Sequence, residues 1–266
     1  MEENYQILKY TQDKHPESHI HDFYEIFISL TNDGKFFVGE KAFDLSYGTV
    51  FFLNPFEIHH CFCHENKEYD RYVIHFTREQ LSRLSTRQSN ILKTFNSAPQ
   101  VLQMPSETLA NMLYQLSGLI KKPLPTFGSD VERNLKFETF LLYVACVLDS
   151  VSENPVICLT RETRVDDILA YIHKHYAEEI KLDDLSRQFY ISKSRISQIF
   201  KSSTGFSIGN YIIIYRIKRA CELLQDGESV QNTGRLVGFK NNTHFIRMFK
   251  QHIGCSPGRF SRNEEG

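Results

Sequence analysis

The chain has 266 residues, 41% of them hydrophobic, with 21 Phe, 13 Tyr and no Trp; that is enough for one or two packed domains and excludes a disordered or collagen-like chain. The net charge of −1 hides an asymmetry: residues 1–164 carry 16 Lys and Arg against 21 Asp and Glu, whereas residues 165–266 carry 15 against 11. Segment 185–262 holds 13 basic residues against only Glu222, Asp226 and Glu228, the electrostatic footprint of a nucleic-acid partner.

Met1 to Tyr5 are acidic and polar and lack the basic and apolar regions of a signal peptide. No apolar run approaches the ~20 residues needed to span a bilayer; the longest, Phe140 to Leu148, is about half that length. The six scattered cysteines therefore read as reduced thiols, and a cytoplasmic protein without a membrane partner is expected.

The first hundred residues read as strands. Asn32 to Gly34 and Gly39 to Lys41 are turn signals, and Phe36 to Val38, Thr49 to Leu53 and Tyr72 to Phe76 are short β-branched and aromatic runs. Closely spaced short strands predict a small antiparallel barrel or sandwich. His19, His21, Tyr24, Glu25 and His59 fall in this region and are candidates for a pocket wall. In His59 to His64, strand alternation puts His59, Cys61 and Cys63 on one face and His60, Phe62 and His64 on the other. A tetrahedral metal site would need ligands from both faces or from another segment, so Cys61 and Cys63 read as small buried hydrophobes.

Helices follow over Ser106 to Ile120 and Asp130 to Val151. In the second, Val131, Leu135, Phe140, Leu141, Val144 and Leu148 recur at helical spacing and are read as a stripe that pairs two subunits. Lys122 to Gly128 is a breaker cluster, and Asn154 to Thr163 reads as a linker. The last hundred residues predict six helices, over Val165 to Tyr176, Asp183 to Phe189, Ser192 to Thr204, Gly209 to Gln225, Val230 to Val237 and Asn242 to His252.

The third and sixth of these resemble each other. Ser192 is a good N-cap, and Ile196, Ile199 and Phe200 form an inward stripe. Lys193, Ser194, Arg195, Ser197, Gln198 and Lys201 are left as polar or basic candidates on the third helix. In the sixth, Phe245 and Phe249 face inward, and Asn242, Thr243, Ile246, Arg247 and Lys250 face outward. Each helix follows a short helix and a tight turn and is closed by a glycine. Polar and basic faces without acid suit helices lying in a major groove of double-stranded DNA.

These features resemble the arabinose-regulator (AraC/XylS) family over Val165 to Phe260. The matching residues include Ser192, Phe200-Lys201, Gly205, Tyr211, Arg216-Ile217, Ala220, Leu223-Leu224, Gly238-Phe239, Phe245, Arg247, Phe249-Lys250, Gly254 and Ser256-Pro257. The resemblance implies two helix-turn-helix units bridged by a helix, here Gly209 to Gln225, that read two successive major grooves. The chain departs from the family at Ser186, where Ala is preferred, and at Thr233-Gly234, where Ile-Ala is preferred. Gly costs about 1 kcal/mol relative to Ala in a helix, so Gly234→Ala is expected to stabilise by roughly 0.4–1 kcal/mol, unless a neighbour leaves no room for a Cβ.

His19, His21, Glu25 and His59, with Gly48 and Pro55, resemble the cupin pattern, in which catalytic members bind a divalent metal. The usual leading glycine is missing and the spacing to Gly34 is stretched. Sensor domains of the regulator family often keep this trace. The expectation is an α+β multidomain protein. Residues 1–152 form a cupin-like β-barrel with a helical dimerisation region, 153–163 a linker, and 164–262 an all-α domain with two helix-turn-helix units. The implied function is an effector-controlled transcriptional regulator, an activator working with RNA polymerase as a homodimer. Sugars are a common effector class in the family. No catalytic residue, cofactor or resident metal is expected. The competing reading is a metal-dependent cupin enzyme fused to a DNA-binding domain; a third is a DNA-architectural protein whose barrel only dimerises.

Overall fold

The protein is described as a computed structural model over residues 5–10, 20–62, 70–120, 126–150 and 163–263. The first half runs β1 (Tyr5–Tyr10), β2 (Tyr24–Ser29), β3 (Lys35–Val38), β4 (Lys41–Asp44), β5 (Thr49–Leu53), β6 (His59–Phe62), β7 (Arg71–Phe76), α1 (Arg78–Leu84), α2 (Ile91–Asn96), β8 (Val101–Gln103), α3 (Ser106–Ile120) and α4 (Ser129–Ser150). One antiparallel sheet has the order β1-β7-β2-β5-β8 and the other β4-β3-β6. The turn between β3 and β4 uses Gly39 at φ +63°, a backbone state that only glycine adopts without strain.

Strand alternation divides β2 between two cores. Phe27 joins Phe36, Val38, Phe43, Phe51, Leu53 and Val73 between the sheets. Tyr24, Ile26 and Ile28 face the other way, into a core shared with α3 and α4. Tyr24 donates from its hydroxyl to Asn96 Oδ1 at 2.7 Å, tying β2 to α2. The expectation that Tyr24 lines the pocket is therefore corrected: it lies one residue out of phase with Glu25.

The proposed stripe of α4 also splits. Phe140, Leu141, Val144 and Leu148 are buried in this chain's own core, whereas Val131, Leu135 and Leu142 are exposed by 56%, 58% and 45%. The first four lie in the core that α4 shares with the neighbouring helices and the larger sheet, so only the exposed set remains for a partner. Among the described residues no helix is long and apolar enough to cross a membrane.

The second half is helical: α5 (Thr163–His175), α6 (Leu182–Phe189), α7 (Lys193–Thr204), α8 (Ile208–Gln225), α9 (Val230–Leu236), α10 (Asn242–Ile253) and α11 (Pro257–Asn263). The expected linker lies outside the described residues, apart from Thr163. Helices α7 and α10 are built alike. Each has a polar N-cap, Ser192 or Asn241, and each ends at a left-handed glycine, Gly205 at φ +77° or Gly254 at φ +84°. Arg216 on α8 donates to the carbonyls of Tyr176 and Glu178, both at 2.7 Å, so this family-matching arginine caps the end of α5 and holds it to the bridging helix.

Gly234 reverses the sequence expectation. It sits inside α9, buried against α10, and a Cβ there would lie 2.9 Å from Phe245 Cδ1 and 2.9 Å from Asn242 Oδ1. Close approach, not conformational freedom, is the reason for this glycine.

The halves share one core. Ile20, Phe37 and Ile58 cluster with Phe206, Tyr211 and Ile208. The rings of Phe37 and Phe206 are 5.8 Å apart, and those of Phe56 and Phe260 are 5.5 Å apart. Glu40, at the β3–β4 turn, pairs with His173 Nδ1 of α5 at 2.8 Å.

Candidate functional site

Between the sheets lies a cavity of about 110 Å³ lined by Tyr10, Glu25, Phe27, Phe36, His59, His60, Cys61, Arg71, Val73 and His75. Its polar centre is the Glu25 carboxylate. His21 Nε2 is 3.0 Å and His75 Nε2 2.9 Å from Glu25 Oε2, and His59 Nε2 is 3.7 Å from it. Burial alone would raise the Glu25 pKa; the imidazoles of His59, His21 and His75 overcome that and hold it well below the ordinary carboxylate value. At the opposite edge the buried Arg71 stacks over the Tyr10 ring at 4.5 Å. The cavity thus has apolar walls with a few converging polar groups, as ligand sites do.

Of the expected pocket residues, His21, Glu25 and His59 converge, Tyr24 points away, and His19 lies outside the described residues. His75 was missed. Its signal is a single histidine in the run Tyr72 to Phe76, and antiparallel pairing of β2 with β7 sets it opposite Glu25. Cys61 faces the cavity and its thiol donates to the Lys35 carbonyl; Cys63 and His64 lie outside the described residues.

The wall formed by β3 and β6 has two uses. Phe36, His59 and Cys61 line the cavity. Phe37 packs on Phe206 and Tyr211 of the helical half. His60 is 5.3 Å, ring to ring, from Phe206, and its ring occupies the space that a Cβ on Gly205 would need.

In the helical half, Lys193, Ser194, Arg195, Ser197, Gln198 and Lys201 are exposed on α7, and Asn242, Thr243, Ile246, Arg247 and Lys250 are exposed on α10. Ile196, Ile199, Phe200, Phe245 and Phe249 are buried beneath them. Arg195 donates to Gln198 Oε1 at 3.1 Å, and Lys193 pairs with Asp183 of α6. Both outward faces carry polar or basic groups suited to base edges and phosphates.

Residues 3–137 match the family described as an AraC-like ligand binding domain, and residues 185–263 match a helix-turn-helix domain. The Msm operon regulatory protein of Streptococcus mutans is 25% identical over 250 residues, 91% of this chain and 85% of that protein. The HTH-type transcriptional activator RhaS of Shigella dysenteriae is 26% identical over 266 residues, 94% of this chain and 89% of that protein. The solved structure of ToxT from Vibrio cholerae O395 aligns over 99% of both chains at 12% identity, with a TM-score of 0.41. The chain belongs to the AraC family of transcription regulators, with a ligand-binding domain preceding a helix-turn-helix DNA-binding domain.

Proposed function

We propose that this regulator is a cytoplasmic homodimeric activator in which a small effector, held by His21, Glu25, His59, His75 and Arg71, sets the placement of the DNA-reading helices beside RNA polymerase. Residues 1–152 form the sensor and 164–262 the DNA-binding domain. Six α7 residues (Lys193, Ser194, Arg195, Ser197, Gln198, Lys201) and five α10 residues (Asn242, Thr243, Ile246, Arg247, Lys250) face the duplex. The reading as an activator draws support from the printed name of RhaS, and regulation without catalysis agrees with the regulator names of both relatives.

One observation carries the control mechanism: the β3–β6 wall lines the cavity with Phe36 and His59 and packs on the helical half with Phe37 and His60. A ligand that displaces this wall acts one strand thickness from Phe206, at the end of the first helix-turn-helix unit. A metabolite screen by thermal shift would find the effector, since a ligand at 100 times its Kd stabilises by about 2.7 kcal/mol. Phe37→Leu, which lies outside the cavity lining and loses the ring contacts to Phe206 and Tyr211, should then bind effector and DNA within about twofold of wild type but lose most of the effector response in a reporter assay, because the coupling free energy of about 1–3 kcal/mol resides in the contact removed. An undiminished response in Phe37→Leu would place the coupling elsewhere.

For the homodimer, the exposed α4 set of Val131, Leu135 and Leu142 is the surface available. Leu135→Glu puts a charge on this face and touches no buried core. It should sediment as a monomer with an unchanged melting temperature at low concentration. A variant that stays dimeric would move the interface off α4.

A further inference from the structure

We propose that Tyr190 is a DNA-backbone contact of the first helix-turn-helix unit, its hydroxyl donating to a phosphate oxygen at the lip of the major groove that α7 enters. Three residues, Tyr190, Ile191 and Ser192, join α6 to α7. Turns of this kind often contain a glycine, and between α9 and α10 the left-handed residue is Gly238, at φ +86°. Between α6 and α7 it is Tyr190, at φ +56° and ψ +37°. A Cβ strains the backbone in that state, and a bulky residue that keeps it marks a place where the side chain has a use.

Among the described residues the other non-glycine at positive φ is Phe56. Its ring lies 5.5 Å from that of Phe260, and its N–H donates to the His21 carbonyl at 2.8 Å, so packing within the chain accounts for it. Tyr190 is 95% exposed, and packing accounts for nothing there. The turn is nevertheless fixed. The Ser186 carbonyl accepts from the N–H of Tyr190 and, at 3.3 Å, from that of Ile191. The Ser186 hydroxyl donates to the Ile191 carbonyl at 2.7 Å. This serine, at the position where the family prefers Ala, locks the turn and so fixes the direction in which Tyr190 leaves it.

What Tyr190 faces follows from α7. A recognition helix enters the groove by its N-terminal end, and Tyr190 comes three residues before Lys193, the first residue of α7. The turn therefore crosses the edge of the groove, where the sugar–phosphate backbone runs. Arg187, Lys193 and Arg195 are exposed within five residues of it, so the surface attracts phosphate. Arg187 pairs with Asp184 and Lys193 with Asp183, but exposed pairs of this kind are weak and exchange readily for phosphate. Tyrosine is among the side chains that position a protein on a duplex through phosphate and sugar. Being uncharged, it releases no counterion, which separates its contribution from that of every Lys and Arg on this face. The contact rests on the reading that α7 lies in a major groove, and Gln198→Ala, on the outward face of α7, tests that reading separately.

Full-length protein would be titrated by fluorescence anisotropy against the duplex that footprinting of candidate promoters recovers, and against single-base-pair variants of it, at several salt concentrations. A hydrogen bond to a charged group is worth about tenfold or more in affinity. Tyr190→Phe should therefore bind about tenfold more weakly, by the same factor on every duplex, with an unchanged salt slope and a wild-type melting temperature. Tyr190→Gly should bind at least as weakly, while its melting temperature stays the same or rises by up to about 4 °C as the backbone strain is relieved. A residue needed only for folding would lower both together. Full affinity in a folded Tyr190→Phe would overturn the contact, and loss of reporter activation in that variant would assign the side chain to a protein partner instead. Weakening confined to one base pair, or a lower melting temperature for Tyr190→Gly, would overturn it as well. If Gln198→Ala loses discrimination while Tyr190→Phe binds fully, only the Tyr190 contact falls; if both bind as wild type, the placement of α7 falls with it.

Discussion

Gly234→Ala should destabilise the protein by about 1–3 kcal/mol, the usual cost of forcing extra volume into a packed core. The new Cβ would sit 2.9 Å from Cδ1 and 3.1 Å from Cγ of Phe245. That ring is fully buried, with Phe239 at 5.4 Å and Phe249 at 5.7 Å, centroid to centroid, so it cannot swing away. Alanine's advantage in helix propensity, about 0.8–1.0 kcal/mol, opposes the clash without outweighing it. Denaturant melts of the full chain would show a lower midpoint in the helical half. In a double-mutant cycle, Phe245→Leu should cost less in the Gly234→Ala background than alone, because it relieves the same contact. A higher midpoint for Gly234→Ala would restore the reading of α9 as merely a weak helix.

That position shows where sequence reasoning stops. A buried Gly and a poor helix former look identical in a string of letters; what separates them is the distance to Phe245, eleven residues away on another helix. Most of the helical half was legible because its stripes are long. Ile196, Ile199 and Phe200 on α7, and Phe245 and Phe249 on α10, are buried as their spacing predicts. The closing glycines Gly205 and Gly254 are left-handed, as a glycine just past a helix commonly is.

The sensor half was less legible. Strands β5 and β7 are buried on both faces, so alternation, the main strand signal, is absent there. His75 is therefore invisible as a pocket residue until the register sets it opposite Glu25. Tyr24 shows the converse: period two already places it opposite Glu25's face, but the motif as a whole suggested otherwise. Helices α1 and α2 are short and held by their caps at Thr77 and Asn90, too brief for a periodic stripe. The shared wall of β3 and β6 was not legible at all, because nothing in the sequence says that Phe37 and His60 meet Phe206.

Arg247→Ala should weaken binding to the specific promoter by about 1–3 kcal/mol, the worth of one good bidentate contact to a base edge. Arg247 is exposed on α10, one helical turn after the exposed Thr243 and beside Ile246, over the buried pair Phe245 and Phe249. A planar guanidinium there can grip guanine O6 and N7 together. Because the residue touches no core, the variant should melt as wild type. Footprinting of candidate promoters would supply the target duplex, and anisotropy titrations on target and random duplex at several salt concentrations would sort the outcomes. Base reading predicts that discrimination is lost at one base pair, and that Arg247→Lys is nearly as defective as alanine, since lysine keeps the charge without the fork. A phosphate contact predicts uniform weakening on all sequences and a salt slope smaller by about one. An exposed ion pair contributes under about 1 kcal/mol and would leave both affinity and discrimination nearly unchanged; that result would remove Arg247 from the DNA-reading set.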